Sequence, residues 1–168
     1  TMSLGSVGGF ALSDGGVMGT FSASSPTAHS VQDLGGSAPA GWLSRSFLPE
    51  LFLGNHTFVT FNVGLTLVAF QFGDFGADDD FMHLRAFDSS NVLVGSADVT
   101  YLTSQTVPGD VGNIGVTTSG GPIMSIEFWE DGQSQVNDIY IDNMRFNAVP
   151  EPAAMAAFLP IDLASDCD

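Results

Sequence analysis

Short runs of alternating apolar and polar residues, cut at intervals of about 8–15 residues by clusters of Gly, Asp, Asn, Ser and Pro, run through almost the whole chain. Alternation with period two puts successive side chains on opposite faces of an extended strand. A helix would need apolar residues at i, i+3 and i+4 between sensible caps, and no stretch before Glu151 has them. Thr57, Val59, Phe61 and Val63 share one side of a run over 57–63. Thr66 to Phe72 is nearly all apolar, as expected of a strand buried on both faces or close to the centre of a sandwich. Phe81, His83, Arg85 and Phe87 alternate with Met82, Leu84 and Ala86, and Asp88-Ser89-Ser90-Asn91 reads as a hairpin turn into the next run. Further strands are expected over 10–12, 17–23, 42–48, 92–96, 111–117, 123–130 and 136–146, with one short strand possible within 24–40. The pattern predicts an all-β fold, a two-sheet antiparallel β-sandwich that is jelly-roll-like, over residues 1–148. A tail of different composition follows over 149–168.

Composition narrows the function classes. The 168 residues carry 3 Lys plus Arg against 19 Asp plus Glu, a net charge of −16. Such a surface repels phosphate backbones and anionic membranes, so no nucleic-acid partner is expected. The three cations are Arg45, Arg85 and Arg145; without lysine, a Schiff base or a P-loop cannot be built. The one cysteine, Cys167, excludes an intrachain disulfide and a thiolate zinc cage. The opening residues show no secretory signal, as in a mature product whose leader has gone or a chain never exported. No apolar run reaches the roughly 20 residues of a transmembrane span. Without disulfides to lean on, the 14 Phe are expected chiefly to build the core.

A family resemblance lies in the second half. Val149-Pro150-Glu151-Pro152 matches the opening of the PEP-CTERM sorting signal. Phe70-Gln71-Phe72-Gly73-Asp74, Leu84-Arg85-Ala86-Phe87-Asp88 and Asp138-Ile139-Tyr140-Ile141-Asp142-Asn143-Met144-Arg145-Phe146 look like strands of the domains that precede that signal. The chain therefore resembles the bacterial exported surface proteins that carry it. The resemblance implies an extracellular or cell-surface location and a role in a surface layer or matrix. It departs where the family has a membrane helix and an Arg-rich end: Ala153 to Leu159 is a short apolar run closed by Pro160, with no Arg cluster after it. A released or assembled domain is expected, not a membrane-anchored one.

Three kinds of chemistry are open to the side chains. The carboxylates of Asp74, Asp78 and Asp80, in a Gly-containing loop, can converge on Ca²⁺, with Asp142 and Asn143 adding oxygens if the last strand lies alongside; the other reading is a solvated acidic loop. Trp42, Tyr101, Trp129 and Tyr140 are candidates for stacking on a polysaccharide, or equally for closing the core. Glu127, Glu130, Asp131 and Asp138 suggest a glycosidase pair only weakly, since acidic chains bring carboxylates together by chance. Glu127 and Trp129 share a strand face. His29, His56 and His83 are too scattered to read as a ligand set, and no Gly-x-Ser-x-Gly elbow exists. The main expectation is a non-enzymatic exported sandwich that self-associates by lending a terminal strand, with Ca²⁺ as a stabiliser. The alternatives are a carbohydrate-binding module and a glycan-active enzyme.

Overall fold

A computed structural model of the chain describes residues 5–7, 10–14, 16–23, 29–33, 45–48, 56–73, 80–101, 111–118, 120–131 and 139–150. Every regular element among them is a strand: β1 (Gly5–Val7), β2 (Phe10–Asp14), β3 (Val17–Ala23), β4 (His29–Asp33), β5 (Arg45–Leu48), β6 (Thr57–Gly73), β7 (Asp80–Phe87), β8 (Leu93–Tyr101), β9 (Gly112–Thr117), β10 (Ile123–Glu130) and β11 (Tyr140–Ala148). All pairings are antiparallel. The all-β antiparallel sandwich expected from the alternation is the fold. Among the described residues no helix is long and apolar enough to cross a membrane.

One strand joins the two layers. The first half of β6 pairs with β3 on one side and β10 on the other; its second half pairs with β11 and β9. The first layer therefore runs β2-β3-β6-β10-β7-β8, and the second β1-β4-β5-β11-β6-β9. The runs over 57–63 and 66–72, which alternation presents as two strands, are one 17-residue strand. Its inward face changes parity on the way. Thr57, Val59, Phe61 and Leu65 are buried in the first half; Val68, Phe70 and Phe72 are buried in the second. The register explains the change: Leu65 pairs with Ala148 but Leu67 with Asn147, so β6 carries one extra residue, Thr66, at that point. A bulge shifts every later side chain to the other face. The second half is thus buried on one face only, with Leu67, Ala69 and Gln71 half-exposed.

Aromatic rings tie the layers together. Phe21 of β3 meets Phe47 of β5 edge-on at 5.2 Å, and Phe70 of β6 meets Phe128 of β10 at 5.1 Å. Around them Met82, Leu84, Ile123, Ile126 and Ile139 are fully buried. Each such side chain contributes about 1.5–3 kcal/mol relative to exposure. The hairpin turns follow their local chemistry. Asp88 Oδ1 accepts from the backbone N–H of Ser90 (2.8 Å) and Val92 (2.9 Å), with Asn91 left-handed at φ 61°.

Candidate functional site

The outer face of the first layer brings aromatic and ionisable side chains together. On β7 the inward set is Met82, Leu84 and Ala86, all fully buried, which turns Phe81, His83, Arg85 and Phe87 outward. On β10 the inward set is Ile126, Phe128 and Glu130, which turns Glu127 and Trp129 outward. Because β10 lies between β6 and β7, register decides the neighbours: Trp129 stands opposite His83, and Phe128 opposite Thr57 brings His56 to Trp129's other side. Three rings form a ladder. His56 stacks on Trp129 at 4.6 Å and 12°, and His83 stacks on it at 4.8 Å and 19°. Arg85 Cζ lies 5.2 Å from the indole centroid. Phe58 lies 6.4 Å beyond His56.

Carboxylates hold the imidazoles in place. His56 Nδ1 donates to Glu127 Oε1 at 2.6 Å. His83 Nδ1 lies 2.6 Å from Asp98 Oδ1, and its Nε2 lies 3.0 Å from Asp131 Oδ2. Only a ring with protons on both nitrogens donates to both carboxylates. Arg85 Nη1 donates to Asp98 Oδ1 at 2.7 Å and to the carbonyls of Leu84 (3.0 Å) and Ala97 (3.1 Å). The Arg85 guanidinium, and after it His83, holds the Asp98 carboxyl below its ordinary pKa. Even so, the side chains of Asp98 and Asp131 remain 56% and 63% exposed, so their other oxygen lone pairs face solvent.

An open groove of about 380 Å³ runs along the His83 end of the ladder. Its lining is Phe81, His83, Asp98, Val99, Thr100 and Asp131. Phe81 faces Thr100 across the β7–β8 pair, and Asp131 is fixed over it by an N–H···O bond of 3.1 Å to the Phe81 carbonyl. The groove therefore joins an aromatic wall to the Thr100 hydroxyl and to two carboxylates already held by neighbours. That volume falls within the range of small-molecule sites, and its lining sets two apolar side chains, Phe81 and Val99, among four polar ones.

The expected site residues fare differently. Trp129 is on the surface, but both its ring faces are occupied by imidazoles, so it braces the site and is no stacking platform. Tyr140 is 8% exposed and packs inward, leaving no ring face for a sugar. Trp42 lies outside the described residues, as does the side chain of Tyr101. Among the oxygens expected to hold Ca²⁺, Asp74 and Asp78 lie outside the described residues, and of Asp80 only the backbone is described. Asp142 is buried and accepts from Asn143 N–H at 2.6 Å, while Asn143 Nδ2 donates to Gln71 Oε1 at 2.7 Å. Among the described residues no three His, Cys, Asp or Glu side chains gather to hold a metal. Glu127 and Glu130, three apart on one strand, point to opposite faces, so they cannot form a facing pair of carboxylates. Asp138 lies outside the described residues.

Sequence reasoning missed His56, Phe81, Asp98 and Thr100 as site residues and set the histidines aside as scattered. Alternation assigns Phe81 and His83 to one face and Glu127 and Trp129 to one face. Nothing in it says that β10 lies between β6 and β7.

Fold and site together define an antiparallel β-sandwich with a braced, ring-rich groove on one outer sheet. No protein-family model and no curated protein matches the chain. Among solved structures it is similar to a DUF4465 family protein from Bacteroides caccae, with a TM-score of 0.55 and 11% identity over 84% of this chain and 86% of that one. It is also similar to a family 6 carbohydrate-binding module, with a TM-score of 0.44 and 17% identity over 76% of this chain and 87% of that one. A third similar structure is a glycoside hydrolase family 43 arabinoxylan arabinofuranohydrolase from Bacillus subtilis (TM-score 0.45, 15% identity). The match covers 73% of this chain but only 26% of that enzyme, so the chain spans about a quarter of its length.

Proposed function

We propose that this protein is an exported, non-catalytic sandwich that binds neutral polysaccharide along the outer face of β7, β8 and β10. The observation that carries the reading is the groove beside His83. There the Phe81 ring, the Thr100 hydroxyl and the Asp98 and Asp131 carboxylates converge on one open cleft. A sugar ring offers an apolar C–H face and a rim of hydroxyl donors. Phe81 supplies the surface for the first, and the two carboxylates accept from the second. The bracing matters because acceptors fixed beforehand lose little side-chain freedom when ligand arrives. Two carboxylates in the cleft disfavour an anionic sugar at this place, which selects neutral chains.

Affinity electrophoresis on neutral glucans, xylans and mannans tests the reading. Retention by at least one is expected, and Asp131→Ala or Phe81→Ala is expected to weaken it about tenfold or more. Asp131 is largely exposed, so its loss should leave stability nearly unchanged. Absence of retention on every neutral polymer, or undiminished retention by both variants, would overturn the proposal.

A further inference from the structure

The opposite outer sheet carries a second groove, of about 190 Å³, over β9, β6 and β11. The register builds it in two rows. Asn113, Gln71 and Asn143 form the first: Asn143 Nδ2 donates to Gln71 Oε1 at 2.7 Å, and Gln71 Nε2 donates to Asn113 Oδ1 at 3.3 Å. Gly115, Ala69 and Arg145 form the second. Gly115 and Ala69 make a low floor: a Cβ on Gly115 would stand 2.8 Å from the Cβ of Ala69. A bulge on β11 sets the wall. Gln71 pairs with Asp142 but Ala69 with Arg145, so β11 carries an extra residue here, and Asn143 takes a left-handed φ of 50°. Asp142 is thereby turned inward and buried, while Arg145 stays exposed over the groove.

The charge of that guanidinium is the informative feature. The chain has 19 carboxylates and three Arg. Arg85 is ion-paired with Asp98, whereas Arg145 makes no ion pair among the described residues. An unpaired fork of N–H donors beside a ladder of amides matches a planar anion flanked by hydroxyls. We infer that this groove is a second binding site, for a carboxylate-bearing sugar (a uronate), distinct from the neutral-sugar groove of the first layer. The net charge of −16 repels long polyanions, so the fitting ligand is a single uronate or one borne sparsely on a neutral chain. The carboxylate takes the Arg145 fork, and the ring hydroxyls exchange hydrogen bonds with Gln71, Asn113 and Asn143. This inference stands on Arg145 and the amide row, and survives or fails separately from the reading of the first groove.

Solution NMR of the full chain with glucuronate, glucose and glucose 6-sulfate tests it, following the Arg145 Nε–H and the Asn and Gln side-chain amides. Glucuronate and glucose differ at C6, as carboxylate against hydroxymethyl. Glucuronate is expected to shift the signals of Arg145, Gln71, Asn113 and Asn143 with an affinity at least about tenfold above that of glucose. Arg145→Gln should abolish that preference, and Arg145→Lys should recover it only in part, since a lysine cannot bind bidentately. Should Arg145→Gln not fold, Arg145→Lys carries the test of the preference, and Asn113→Ala, at an exposed position, should weaken glucuronate binding through its lost hydroxyl contact. Equal affinity for glucuronate and glucose, a preference undiminished in both Arg145 variants, or glucuronate binding unchanged by Asn113→Ala would overturn the inference. So would tighter binding of the sulfate ester than of glucuronate.

Discussion

Trp129 shows how one side chain is used for support where its residue type suggests contact. Both faces of its ring are covered, so its stacking energy goes into fixing His56 and His83. A double-mutant cycle between His83→Ala and Trp129→Ala should return a coupling of about 0.5–1.5 kcal/mol in urea unfolding; independent effects would mean that the stack contributes nothing. Asp98 gives a pH dependence of known sign. Its folded pKa is depressed below the ordinary aspartate value of 3.8, first by Arg85 and then by His83. Its contribution to stability is therefore present above pH 3.8 and is lost as pH falls through the lower folded value. The stability gap between wild type and Asp98→Asn should shrink as pH falls through that acid window. The gap is small because the carboxylate is largely exposed. Thr57 poses the opposite case. It is fully buried, and among the described residues its hydroxyl has no hydrogen-bond partner. Thr57→Val keeps the shape and removes the orphaned group, so urea unfolding should show a gain of about 1 kcal/mol.

At the scale of the element, β6 decides what was legible. Alternation gave its two halves correctly as extended runs, and gave the inward and outward sets of β7 and β10. It could not show that the halves are one strand, because the bulge at Thr66 breaks the period at the point where the chain passes from layer to layer. The ladder of rings depended on β10 pairing with both β6 and β7, which is information about partners and not about any single run. That is why His56 and His83, 27 positions apart in sequence, read as unrelated. Asn143, singled out as a possible cation ligand, lies at the bulge of β11 with a left-handed φ. Close approach of elements also leaves a mark in glycine. At Gly112, on β9, an added Cβ would fall 2.5 Å from Phe72 Cζ, and at Gly64, where β6 turns, 2.7 Å from Pro122 Cβ. Gly112→Ala forces the buried Phe72 ring to move, and thermal unfolding should show a loss of about 1–3 kcal/mol. An unchanged midpoint would show that β9 and β6, paired here as Gly112 and Phe72, do not pack as closely as the register requires.

For the whole molecule, the sandwich separates two outer faces of different electrostatic character. The first layer offers a ring-braced cleft edged by Asp98 and Asp131; the second offers Arg145, without an ion pair among the described residues, above a row of amides. A neutral ligand feels little of the −16 net charge, so its affinity should change by less than about twofold between low and physiological salt. The measurement that bears most directly on the central claim is a backbone NMR titration with neutral hexasaccharides of glucose, xylose and mannose. The amides of Phe81, His83, Asp98, Thr100 and Asp131 should shift together with one of these sugars, and with one dissociation constant. No shift with any of the three, or shifts confined to residues away from β7, β8 and β10, would contradict the account.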